Sequence, residues 1–175
     1  MNISHKLAKT AVVAAAAAAL VGLNAPTAHA DNAPVTCAIR TSNGHYLTAV
    51  GGGGRTTDVL HTDATRVGAW ERFTLVDSGD GSANIHYGFR TSKGRYLTAV
   101  GGGGRTTDVM HSDAVNLLAW EKLSVVSFGH DVYAIQTING HYLTAVGGGG
   151  RITDTIHSDA TRIGSWEKFR FTCGI

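Results

Sequence analysis

Arg55, Asp58, His61 and Asp63 recur as Arg105, Asp108, His111 and Asp113, and again as Arg151, Asp154, His157 and Asp159. The chemistry these types share is hydrogen bonding to hydroxyls. A carboxylate accepts from two adjacent hydroxyls, a neutral histidine donates or accepts according to its tautomer, and a guanidinium offers a rigid fork of donors. Catalysis fits less well, because no Ser or Cys nucleophile recurs beside the set. A His-x-Asp pair on one strand face gives a metal two ligands at most, so neither metal nor cofactor is expected. Each residue also has a plainer reading. The arginine can pair with an aspartate of its own repeat, Asp58 can cap a bend, and His61 can be a solvated strand residue.

Each set follows four consecutive glycines, at 51–54, 101–104 and 147–150. One glycine suffices for a turn with positive φ, and four are entropically costly. Two explanations stand side by side: a bend carried along by duplication, or bare backbone left open to a ligand. Gly53, Gly54, Gly103, Gly104, Gly149 and Gly150 are the positions nearest the arginines for such contact. A phosphate loop fits poorly, since no Gly-Lys-Ser/Thr follows and no helix pattern begins there. Tyr46, Tyr96 and Tyr142, close to the glycines in sequence and of outward parity, suit stacking on the apolar face of a ring. Trp70, Trp120 and Trp166 read instead as core, where an indole contributes large apolar area. Their neighbours Glu71, Glu121 and Glu167 are then placed to tie down the adjacent loop. His45 and His141 become Arg95 in the middle copy, a swap that suits exposure.

The elements that hold these residues follow from the period. The run 46–56 recurs at 96–106 and, with one change, at 142–152. A unit of that size cannot bury its own apolar face, so the copies must close on one another. Short β-branched and aromatic runs separated by Gly, Asn, Asp and Ser replace any helical period. In the first repeat they predict strands at 37–41, 45–50, 57–62 and 71–76, with Ser42-Asn43-Gly44 as a tight turn. Twelve short strands in three groups of four predict an all-β architecture, a β-trefoil of three pseudo-symmetric repeats at about 37–86, 87–132 and 133–175. Alternation places Leu47, Ala49, Leu60, Phe73 and Leu75 in the core, with Leu97, Ala99, Met110, Leu123, Val125, Leu143, Ala145, Ile156, Phe169 and Phe171 as copies. It also sends Val59, His61 and Asp63 outward and leaves Asp58 at a strand mouth.

Residues 1–30 read as a secretory signal, with Lys6 and Lys9 before an apolar stretch at 11–23 and a small-x-small site at Ala28-His29-Ala30. The rest, 31–175, is expected to be a single secreted, extracellular domain without membrane insertion. Two of the fifteen Lys and Arg residues fall in the leader and none of the thirteen acids does, leaving thirteen of each sign. A balance near zero, with no basic run, argues against nucleic acid as partner. Cys37 and Cys173 stand near the two ends of that domain. In an oxidising compartment they predict one bridge across the closure of the body, two separate buried thiols being the alternative.

The recurring Gly-x-Tyr-Leu-Thr-Ala, followed about twenty residues later by Trp-Glu-x-Phe (Leu123 in the middle copy), resembles the fascin-like and hisactophilin-like β-trefoil modules. The likeness runs from about Cys37 to Cys173. The Gln-x-Trp signature of ricin-type trefoils is absent. With its leader and its GGGGR loops the chain also resembles the secreted actinomycete hemagglutinins, which are trefoil lectins. That resemblance implies binding of mono- or oligosaccharides and cell-surface glycans, with L-rhamnose or D-galactose as the sugar, and no catalysis. It implies up to three equivalent sites, each built from the glycine loop, Arg55, Asp58, His61 and Tyr46 or their copies. Two other roles stay open: a protein-binding trefoil such as a protease inhibitor, and a non-catalytic adhesive or structural surface protein.

Overall fold

β-Branched and aromatic residues alternating with polar ones give twelve strands in the computed structural model, which describes residues 34–82 and 85–175. The leader expected at 1–30 lies outside the described residues. In chain order the strands are β1 (Val35–Arg40), β2 (Tyr46–Ala49), β3 (Leu60–Ala64), β4 (Arg72–Asp77), β5 (His86–Arg90) and β6 (Tyr96–Ala99). They continue as β7 (Met110–Ala114), β8 (Leu123–Ser127), β9 (Val132–Gln136), β10 (Tyr142–Ala145), β11 (Ile156–Ala160) and β12 (Phe169–Cys173).

Pairing runs β1–β4–β5–β8–β9–β12 and returns from β12 to β1, every neighbour antiparallel. Six strands therefore close into a barrel with no free edge. The remaining strands form three hairpins, β2–β3, β6–β7 and β10–β11, each joined to the barrel through one residue pair such as Arg40 opposite Tyr46. This is a β-trefoil. Cys37 and Cys173 face each other across the β1–β12 seam and form the disulfide. Among the described residues no helix is long and apolar enough to cross a membrane.

Phe73, Leu123 and Phe169 fill the barrel together with Ile39, Phe89 and Ile135, and Leu47, Leu97 and Leu143 cap it from the hairpins. Of the core residues placed by strand alternation, only Val125 is partly exposed, and it packs against the rest. The third strand departs from expectation. It begins at Leu60 because Asp58 takes a left-handed conformation, φ 49°. Val59 lies before the strand begins, where alternation does not hold, and is buried beside Leu60 instead of facing outward. The longer connection between β4 and β5 is tied by Asp80, which accepts a hydrogen bond from Lys122 Nζ and pairs with His86 Nδ1, both at 3.0 Å. The Lys122 ammonium holds that carboxyl well below the usual carboxylate range.

The tryptophans are the largest correction. Trp70, Trp120 and Trp166 are not core residues but stand 48%, 50% and 47% exposed. Glu71, Phe73 and Leu75 share one face of β4 and its approach, so the glutamate points inward and its neighbour must point out. The buried carboxylate is satisfied: Thr48 Oγ1 donates to Glu71 Oε1 at 2.8 Å and the Gly68 N–H to Oε2 at 2.7 Å. Glu121 and Glu167 repeat the arrangement, with the Leu118 N–H taking the part of Gly68 in the middle copy. Glu71→Ala strands both donors, and a hydrogen bond to a charged group is worth about 1.5–3 kcal/mol. Denaturant unfolding of this variant is expected to show a loss of that size at unchanged slope.

Candidate functional site

Each glycine run begins where β2, β6 or β10 ends. Val50–Gly52 makes one 3₁₀ turn, and residues 51–54 all adopt positive φ. The bare backbone is closed over by the next repeat. The Gly52 carbonyl accepts from the Lys93 N–H at 3.1 Å, Gly53 packs on the Thr91 side chain, and the Gly54 N–H donates to the Ser112 carbonyl at 2.7 Å. The second run locks in the same way onto Thr137, Asn139 and Ser158, and the third onto Thr41, Asn43 and Thr62 of the first repeat. The structure shows a use for the glycines that neither explanation anticipates, close approach of a neighbouring repeat. Gly53, Gly103 and Gly149 present their backbone to protein. Gly54, Gly104 and Gly150 remain exposed with their N–H groups committed.

The arginine that follows is turned back onto its own repeat. Arg55 Nη2 donates to Asp58 Oδ2 at 3.2 Å, and its Nε reaches the carbonyls of Thr57 and Asp58. His61 Nε2 sits 2.6 Å from Asp58 Oδ1. Asp108 is held by Arg105 at 3.4 Å and His111 at 2.8 Å, and Asp154 by Arg151 at 3.4 Å and His157 at 2.6 Å. The carboxylates are about half exposed, 50–52%. Ion pairs in such surroundings add only about 0–1 kcal/mol, so fold stability gives little reason for three copies. Each carboxylate has roughly four lone-pair positions and spends two on its own repeat, which leaves capacity for a pair of hydroxyls.

The remaining candidates are placed differently. Asp63, Asp113 and Asp159 are exposed on β3, β7 and β11, outside the Arg–Asp–His clusters. Tyr46 is half-buried beneath the Arg40 guanidinium, 5.8 Å from its ring centre, and Tyr96 lies over Gly88. Both occupy the start of a strand whose other end meets the glycines, about 13 Å of extended chain away. Tyr46, Tyr96 and Tyr142 are therefore neighbours of the glycine loop in sequence more than in space. His45 and His141 are half-buried, their rings against Gly150 and Gly104.

Residues 56–60, 106–110 and 152–156 together line one depression of about 610 Å³. Equivalent segments of all three repeats meet there, so it lies on the pseudo-threefold axis. Asp58, Asp108 and Asp154 all border it, above a floor of Leu60, Met110 and Ile156. The three aspartates thus border a shared basin. Ile152 replaces a threonine of the other copies in its lining, giving it one apolar side. Among the described residues no three His, Cys, Asp or Glu side chains come together as a metal site.

The tryptophans were the missed residues, and the sign was present in the sequence. With Phe73 and Leu75 facing inward, parity alone turns Trp70 toward solvent. Its indole Cδ1 lies against Gly52, next to Ser92 and Lys93 of the following repeat. Arg55 lies against Gly51 on the same short turn.

No family model matches the sequence, and no curated protein matches it. Solved structures do. A designed threefold symmetric protein, ThreeFoil, superposes with a TM-score of 0.66 at 14% identity over 78% of this chain and 97% of that one. The Rhizoctonia solani agglutinin gives 0.63 at 13% over 78% and 92%, and SeviL bound to asialo-GM1 saccharide gives 0.57 at 13% over 81% and 99%. At such identities these likenesses establish the β-trefoil fold, shared with lectins.

Proposed function

We propose that the protein is a secreted, multivalent carbohydrate-binding protein without catalytic activity, carrying up to three equivalent sugar contacts. One observation carries this reading: three half-exposed carboxylates, Asp58, Asp108 and Asp154, each fixed by its own histidine and arginine and each with acceptor capacity left over. A preorganised acceptor of this kind recognises adjacent hydroxyls without paying much ordering entropy. SeviL's saccharide complex on the same fold supports the assignment. The disulfide fits export. L-Rhamnose and D-galactose are the first sugars to examine, and cell-surface glycans the natural targets. Weak single contacts in triplicate suffice for cross-linking, since avidity exceeds single-site affinity by about 10²–10⁴-fold where geometry allows.

The test is a glycan array and sugar-inhibitable red-cell agglutination on residues 31–175, beside the triple variant Asp58→Asn, Asp108→Asn, Asp154→Asn. Because the ion pairs are exposed, the variant is expected to fold normally and lose agglutination. Full agglutination by the folded variant would remove these residues from the site. An array with no bound glycan would overturn the function.

A further inference from the structure

Each of the three tryptophans breaks the usual rule for indoles in a small domain. About half of each is open to solvent, and among the described residues none has an aromatic partner, a cation above it or a hydrogen bond to its ring nitrogen. Their backbones are nonetheless fixed. The Trp70 carbonyl accepts from the Ala49 N–H and the Trp166 carbonyl from the Ala145 N–H, both at 2.9 Å, while the next residue is the buried, doubly bonded glutamate. Trp120 sits in the short 3₁₀ turn Ala119–Glu121, which packs against the glycine turn Val100–Gly102. A rigid, half-open aromatic face loses little entropy on binding.

The surroundings decide what such a face can hold. Trp70 adjoins Gly52, Ser92 and Lys93, and Trp166 follows Gly164 and Ser165. A protein partner needs about 800 Å² of fitted surface on each side, with an apolar centre. Trp70 and Trp166, beside glycine and polar groups, instead fit one small ring that is apolar on a face and hydrogen-bonding at its edges, and Trp120 offers the same indole with Leu118 and Ala119 as a more apolar rim. A pyranose has that character, with axial C–H groups on a face and hydroxyls around the rim. Arg55, whose Cδ lies against Gly51, belongs to the same short turn.

We propose that Trp70, Trp120 and Trp166 are three separate stacking platforms, each taking one sugar ring beside its glycine turn. This rests on the carbohydrate-binding reading above and adds the residues that carry the contact. It also predicts stoichiometry: one ring at the tryptophan of each repeat, three in all.

These are the only tryptophans in the chain, so its emission reports on the proposed platforms alone. Free D-galactose and free L-rhamnose are titrated into the protein while fluorescence and heat are recorded. The expected result is a saturable change in emission that tracks the heat, with close to three sites per chain. Trp70→Ala should reduce the number to two. The triple alanine variant should lose at least tenfold in affinity, and the triple Trp→Phe variant should recover part of it, which a purely structural role would not produce. Saturable heat at one site per chain with unchanged emission, or wild-type affinity in the folded triple alanine variant, would overturn the platforms while leaving sugar binding intact. Absence of any saturable heat with either sugar would overturn the platforms for these rings, and an array with no bound glycan would overturn the underlying reading as well.

Discussion

Replacing Cys37 by Ala and Cys173 by Ser is expected to lower stability by about 2–5 kcal/mol, the usual loss when a small secreted domain gives up its bridge. The size follows from where the bridge lies. It joins residues 136 apart, so in the unfolded chain it removes nearly all the freedom of the ends, and the entropic gain rises with the length of the closed loop. It also spans the one seam, β1 against β12, at which the barrel returns on itself. Alanine at 37 avoids placing an unpaired hydroxyl in a fully buried position, and serine is tolerated at exposed 173. Thermal unfolding should shift by about 4–20 °C, at roughly 2–4 °C per kcal/mol for a domain of this size. Equal midpoints for the bridged protein and the double variant would mean that the ladder alone holds the seam.

Gly53→Ala is the second large effect. Gly53 has φ 98° and ψ −178°, a region essentially closed to other residues, and holding alanine there costs on the order of 1–3 kcal/mol. An added Cβ would also collide with Thr91 of the next repeat, whose side chain is buried and cannot swing away. Overpacking adds about 1–3 kcal/mol more. Gly54→Ala is the control. Its φ of 86° is also left-handed, yet nothing lies within 4 Å of the new methyl, so only the backbone cost of about 1–2 kcal/mol remains. Chemical denaturation of both variants decides the matter. A Gly53 variant no less stable than the Gly54 variant would show that the loop gives way and does not act as a joint. Alanine at Gly103 and Gly149, packed on Thr137 and Thr41, should repeat the result, and such distant sites add.

The barrel was legible because its signals are local. Alternation at 71, 73 and 75, tight turns such as Ser42-Asn43-Gly44 and the period of the repeat depend only on neighbours along the chain. Val59 was misplaced because the left-handed Asp58 delays the strand to Leu60 and leaves Val59 outside its alternation. Trp70 was misplaced by a preference for burying indole over the alternation already found at Glu71 and Phe73. Arg55, Asp58 and His61 come into contact because a bent segment brings residues three and six apart together, whereas Asp63, grouped with them in sequence, lies outside the cluster. The meeting of the three aspartates at a common basin, and the closing of each glycine loop by Thr91, Thr137 or Thr41, involve partners from different repeats. No spacing within one repeat records such contacts. The distance between Tyr46 and the glycines was underestimated for a related reason: a four-residue strand keeps sequence neighbours well apart.

The glycine joints run in one rotational sense, first repeat to second, second to third and third back to first. Every third of the molecule is therefore both socket and plug, and neither end is satisfied alone. Evolution by copying a unit of this kind has a natural stopping number. Two copies would leave a joint gaping and a fourth would find every joint of the ring engaged, and the Cys37–Cys173 bridge spans the seam where the ring closes.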